Sequence, residues 1–156
     1  AWRGTPAGKH ALLEAVLDTL GLDSSLILAT GAFSAEDTPW LPPHLLDEVR
    51  DRPLPDVHTF LRVRHDPVAD DWMTVDATWP LPARALGLPV NEALTPGVDH
   101  RIACVVEEIV HVPDDEDVAM LTERILGQHV GEQLERRARF LQALAAWLAD
   151  ATQDVR

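Results

Sequence analysis

The stretch from Val57 to Trp79 sets the tightest limit on what this chain can fold into. It reads "VHTFLRVRH", then "DPVADD", then "DWMTVDATW". Val57, Thr59, Leu61 and Val63 alternate with His58, Phe60, Arg62 and Arg64, which is the period of a strand with two different faces. The turn residues between the two runs make them an antiparallel hairpin, predicted over 57–65 and 71–78. Upstream, "SSLILATGAF" reads as a buried strand. Downstream, "HRIACVVEEIVHV" predicts another strand with a break near Glu107 and Glu108.

Helices are expected at both ends. Thr5 can cap exposed N–H groups, and Pro6 suits a first helical position because its missing N–H would be unpaired there. Ala11, Leu12, Ala15, Val16 and Leu20 follow at helical spacing, and Gly21 is a stop. The segment from Ser34 to Pro55 holds Pro39, Pro42, Pro43, Pro53 and Pro55, and predicts an irregular excursion with a helical turn or two around "HLLDEV". The C-terminal part predicts helices over "EDVAMLTERIL" and "GEQLERRARFLQALAAWLAD". In the second, Leu134, Ala138, Leu141, Ala145 and Leu148 form a stripe widened by Leu144 and Trp147, with Arg136, Arg137 and Arg139 off it. The reading is an α+β fold: one domain over 1–156, its N-terminal helix packed on a small antiparallel sheet and helices covering it from the C-terminal side.

With 156 residues, 46% of them apolar and 25% charged, the chain can bury a sizeable core. A net charge of −13, with Lys and Arg scattered, argues against a nucleic-acid surface. No apolar run approaches the ~20 residues of a membrane-spanning helix. Cys104 is the single cysteine, which excludes an internal disulfide and suits a reducing cytoplasm. No signal-like segment opens the sequence. A chain that opens on Ala1 is expected to have lost or left out something before it.

Several chemistries fail on spacing. "GTPAGKH" places only Thr5, Pro6 and Ala7 between its glycines, and His10 follows Lys9, so it is no Walker loop. "PDDEDV" lacks the ligand period and central glycine of a calcium loop, and makes a natural helix start instead. His10, His58 and Asp76 are metal-ligating types without rigid spacing, so neither a metal nor another cofactor is expected. His58 and Asp76 remain. On neighbouring antiparallel strands the two can lie side by side on the ladder, and a carboxylate beside an imidazole orients the ring and supports its protonated form. A helix N-terminus facing the pair would stabilise a thiolate or an oxyanion. From charge and spacing alone the favoured reading of the pair is a cross-strand polar contact.

"GTPAGKHALL", "PDVHTFLRV" and "WMTVDATWP", in this order, resemble the segments of bacterial members of the transglutaminase-like superfamily, the group related to papain-type cysteine proteases. The resemblance covers roughly residues 3–80. It implies that His58 is the general base, that Asp76 orients it, and that the nucleophilic cysteine belongs at position 6. Pro6 stands there. The expectation is a non-catalytic domain acting as a binding or scaffold module for a peptide or protein ligand, with His10, Thr5 and Trp79 as weak binding candidates. Thr5 is expected to be occupied as a cap, His10 to line the cleft or flank the core, and Trp79 to be a core aromatic with its N–H satisfied. The alternative is a hydrolase or acyl-transferase acting on amide bonds through water, a metal or another nucleophile. Cys104 is expected to be a small buried hydrophobe within Ile102–Val106.

Overall fold

The computed structural model describes residues 5–110, 112 and 116–152. Helix α1 spans Pro6–Thr19, and strand β1 spans Ser24–Phe33. Helix α2 covers Pro43–Arg50, β2 Leu54–Asp66, β3 Asp71–Val75 and β4 Val106–Val110. Helices α3, Val118–His129, and α4, Leu134–Ala151, follow. The fold is α+β. Its four strands form one antiparallel sheet in the order β3-β2-β1-β4.

The expected helix ends have their physical counterparts. Thr5 Oγ1 accepts the Gly8 N–H at 3.1 Å, so the cap satisfies one of the helix's exposed donors. The chain leaves α1 through Gly21 at φ 73°, a left-handed backbone that glycine adopts without steric penalty. Asp117 caps α3 by accepting the Ala119 and Met120 N–H groups.

Alternation along the sheet sorts the side chains into two layers. Leu26, Leu61, Val63, Met73 and Val75 meet Leu17 of α1 on one face, and Leu28 meets Leu121 and Ile125 of α3 on that same face. Ile27, Ala29 and Phe60 point the other way, against Ile102 and Val106. Beyond them Phe33 and Leu54 join Leu41, Leu45 and Val49 of the α2 region and Phe140 and Leu144 of α4. Strand β1 is thus buried on both faces, which explains why its sequence is a continuous apolar run.

Three expectations are corrected. Strand β4 includes Glu107 and Glu108, and residues 100–105 lie outside it. Cys104 therefore sits in the bend before β4 and not in a strand. Strand β2 starts at Leu54, so Pro55 belongs to the sheet and not to the excursion. The buried face of α4 is centred on Phe140 and Leu144, with Leu141, Trp147 and Leu148 packed beside them. Leu134, Ala138 and Ala145 are exposed, whereas Arg136 and Arg137 face inward. The Arg136 guanidinium donates to the carbonyls of Glu48 and Arg52, and Arg137 Nε donates to Asp56. Long arginine stems covering apolar surface while their heads bind backbone account for that rotation of the helix. The reading of "PDDEDV" falls largely on 113–115, outside the described residues.

Candidate functional site

His58 and Asp76 come together, but not as ladder partners. Leu61 faces Val75 in the last pair of β2 and β3, so a longer ladder would set Asp76 against Phe60. The chain leaves the ladder after Val75, and this departure lets the Asp76 carboxylate turn into the gap beside β2. There its Oδ2 lies 2.8 Å from His58 Nε2. Thr59, next along β2, faces the α1 layer, and its hydroxyl lies 3.5 Å from His10 Nδ1. Two imidazoles thus approach one carboxylate from opposite layers of the fold. Their ring centroids are 6.2 Å apart and nearly perpendicular.

Asp76 is 2% exposed, and its hydrogen-bonding atoms are shared among several segments. Oδ2 also accepts the Ala103 N–H at 2.8 Å, and Oδ1 accepts the Thr78 N–H at 2.8 Å. On the main chain, His100 Nδ1 accepts the Asp76 N–H at 3.2 Å and the Asn91 amide donates to the Asp76 carbonyl at 2.9 Å. Burial alone would push this carboxyl up. The contacts with His10, His58 and the Thr78 side chain outweigh burial and hold it well below the usual carboxylate range. The His10 contact contributes only when that ring is protonated, because a neutral His10 uses its Nε2 lone pair for the Ala77 N–H at 2.9 Å.

Position 6, where the resemblance implies a nucleophile, is bare by comparison. Pro6 is exposed at the first turn of α1, and the Thr5 hydroxyl is occupied by its cap. The same helix reaches the Asp76 segment through Lys9, whose Nζ donates to the Thr78 carbonyl at 2.8 Å. Burial lowers the Lys9 ammonium, and the Asp76 charge opposes that shift. Cys104 follows Ala103, whose N–H binds Asp76. Its thiol is nonetheless pushed up to about 12, first by burial and then by the charges of Asp56, Asp76 and Glu107. A thiol held that high has almost no thiolate near neutral pH and is a poor nucleophile.

His10 is fully buried, so it supports the pair and cannot meet a ligand, contrary to its place among the binding candidates. Trp79 packs edge-on against Trp40 at 5.2 Å in the α2–α4 core, and its indole N–H has no partner among the described residues, which corrects the expectation of a satisfied N–H. His58, Asp76 and Trp79 line neither of two cavities at the surface, one over residues 102–105 and the other over 84–101. Among the described residues no group of three or more His, Cys, Asp and Glu side chains could hold a metal ion. Among the same residues no helix is long and apolar enough to cross a membrane.

Sequence reasoning missed Asn91, His100 and Ala103. Asn91 Oδ1 accepts the Arg101 N–H at 3.0 Å while its amide donates to the Arg101 carbonyl at 2.9 Å, fastening this strap across Asp76. Such residues sit in an aperiodic loop, and their partners are largely backbone atoms, so no spacing announces them. No family model, curated protein or solved structure matches this chain.

Proposed function

We propose that this chain is a transglutaminase-like domain without competent cysteine catalysis, serving as a binding or scaffold module around a retained His–Asp pair. One observation carries the reading. His58 Nε2 is held 2.8 Å from Asp76 Oδ2 against the first turns of α1, while position 6 is a proline. A carboxylate that fixes an imidazole is the orienting half of an acyl-transfer site. Loss of the nucleophile from such a coupled set removes roughly a million-fold in rate. No other described group replaces it, since Thr5 is engaged and the Cys104 thiol is held protonated. The ligand in keeping with this ancestry is peptide-like or amide-bearing.

The second reading, hydrolysis by water with His58 as base, has one observation in its favour: His58 Nδ1 has no hydrogen-bond partner among the described residues. One experiment separates the two readings. Pro6→Cys should give a thiol that reacts with iodoacetamide faster than Cys104 in the same protein, and adding His58→Ala should slow it. An unreactive cysteine, or one indifferent to His58, would leave no catalytic ancestry to this geometry. Hydrolysis of amide or ester substrates by the natural protein, abolished by His58→Ala, would establish the second reading instead.

A further inference from the structure

The sheet ends differently at its two edges. At β3 the strap closes the edge: Asp99 Oδ1 accepts the Thr74 N–H at 2.5 Å, and the Thr74 carbonyl accepts the His100 N–H at 2.9 Å. Strand β4, at the other edge, has no such cover. Among the described residues, no backbone group outside the sheet pairs with it. An open edge offers a row of backbone donors and acceptors to an added strand. Charge along it deters a partner of the same sign and attracts one of the other.

The side chains of β4 say which partner fits. Ile109 is paired with Ala29 and shares its face of the sheet, whereas Glu108 is paired with Thr30 and lies on the opposite face. Ile109 and the neighbouring Val105 are each about half exposed, and Glu107 and Glu108 are exposed. Among the described residues Glu108 has no ion pair, and Glu107 has only His129, whose Nε2 lies 3.8 Å away. Just before β4, the cavity over 102–105 adds Asp37 and Asp56. Asp56 Oδ1 accepts from Arg137, and Asp37 Oδ2 from Ser34, which leaves one oxygen of each without a partner among the described residues. The Cys104 thiol in that wall is raised by burial first and then by Asp56, Asp76 and Glu107, so the negative field reaches the groups beside β4. A second copy of the chain is a poor occupant. Antiparallel pairing of β4 with itself, centred on the strand, would set Glu108 against Glu108, and like charges directly opposite destabilise a ladder.

We propose that the β4 edge binds an extended basic segment of another protein as an added antiparallel strand, with basic side chains against Glu107 and Glu108 and apolar ones beside Ile109. The proposal gives the binding-module reading above its surface and its partner, and rests on it without calling on a catalytic ancestry. The probe is a fluorescein-labelled hexapeptide alternating lysine and valine. Fluorescence anisotropy should show saturable binding, at least about tenfold tighter than that of the glutamate–valine counterpart. Glu107→Lys with Glu108→Lys, both at exposed positions, should weaken the lysine peptide about tenfold, because opposite cross-strand charges become like ones. An added strand pairs through the N–H groups of every second residue. N-methylation of one alternate set of peptide amides should therefore abolish binding, and of the other set leave it. Amide exchange read by NMR should slow within 106–110 when the peptide is added.

No saturable binding, unchanged affinity in the doubly substituted protein, or an equal response to the two methylated peptides would overturn the proposal. The last two outcomes would leave only attraction between a basic peptide and an acidic surface. Slow exchange of every β4 amide in the free protein would show the edge already occupied and would overturn it as well. None of these readouts involves position 6 or His58. Failure of the Pro6→Cys series therefore removes the ancestry, whereas failure here removes the β4 docking edge.

Discussion

On the proposed reading Asp76 and Pro6 belong to the base half and the nucleophile half of one site, and the fold holds them in different ways. Asp76 is buried between layers, with His58, Ala103 and Thr78 on its carboxylate and His100 and Asn91 on its main chain. Pro6 is exposed at a helix start where its ring is already suited to the backbone. The base half is therefore also a joint of the fold, while the nucleophile half supports little beyond itself. On the proposed reading this difference explains the present state of the site. A substitution at position 6 removes chemistry without removing stability, and the remaining pair is kept because the structure needs it.

The largest effect that can break this comparison is at Asp76. Asp76→Ala should destabilise by about 2–5 kcal/mol, because it leaves the Ala103 and Thr78 N–H groups without their acceptor. Urea unfolding checks it, and a loss below about 1 kcal/mol, typical of a minor site, would show that Asp76 is no joint. The pH dependence follows from the same group. Its folded carboxyl is depressed, so its contribution is complete above the unfolded value of about 4 and is lost as pH falls toward the folded value. Urea midpoints should accordingly drop below about pH 4 in the natural protein, with a shallower drop in Asp76→Asn.

A smaller loss is expected at His10. His10→Ala leaves a void beside Thr59 and strips the Ala77 N–H of its acceptor. The expected destabilisation is about 2–4 kcal/mol from unsatisfied polarity and cavity together. His10→Gln, which can still offer an acceptor, should recover part of it, and the comparison of the two midpoints sharpens the view that His10 acts by holding the Asp76 segment. Equal losses in both would assign the effect to packing alone.

The smallest effect is at position 6. Pro6→Ala should change stability by within about 0.5 kcal/mol, as an exposed helix-start substitution does. Thermal unfolding measures it. A loss above about 2 kcal/mol, beyond the ordinary surface range, would mean that the nucleophile half is also built into the fold and would erase the contrast.

The hairpin and the helix start were legible because both are local. The alternation through "VHTFLRVRH" fixes two faces over consecutive residues, and Thr5–Pro6 carries its cap within one turn. The pairing of His58 with Asp76 was legible as an association, but its geometry was not: the strands meet in a register that would have separated them, and the chain brings them together by leaving the ladder at Val75. The face of α4 was misread for a related reason. Periodicity names a stripe, but Arg136 and Arg137 were placed by carbonyls and a carboxylate contributed from elsewhere in the chain.

The sequence by itself determined where the chain alternates, where α1 begins and which residue stands at its first turn, because neighbouring residues decide period and capping. The tertiary structure alone decided that His10 and His58 flank one carboxylate, that the 91–103 strap fastens it, and that Cys104 faces a cavity with its thiol held protonated. Those outcomes depend on backbone N–H and carbonyl groups from distant segments, on burial and on fields from remote charges. Every residue except proline carries the same backbone groups, and burial and field exist only once the chain has closed on itself.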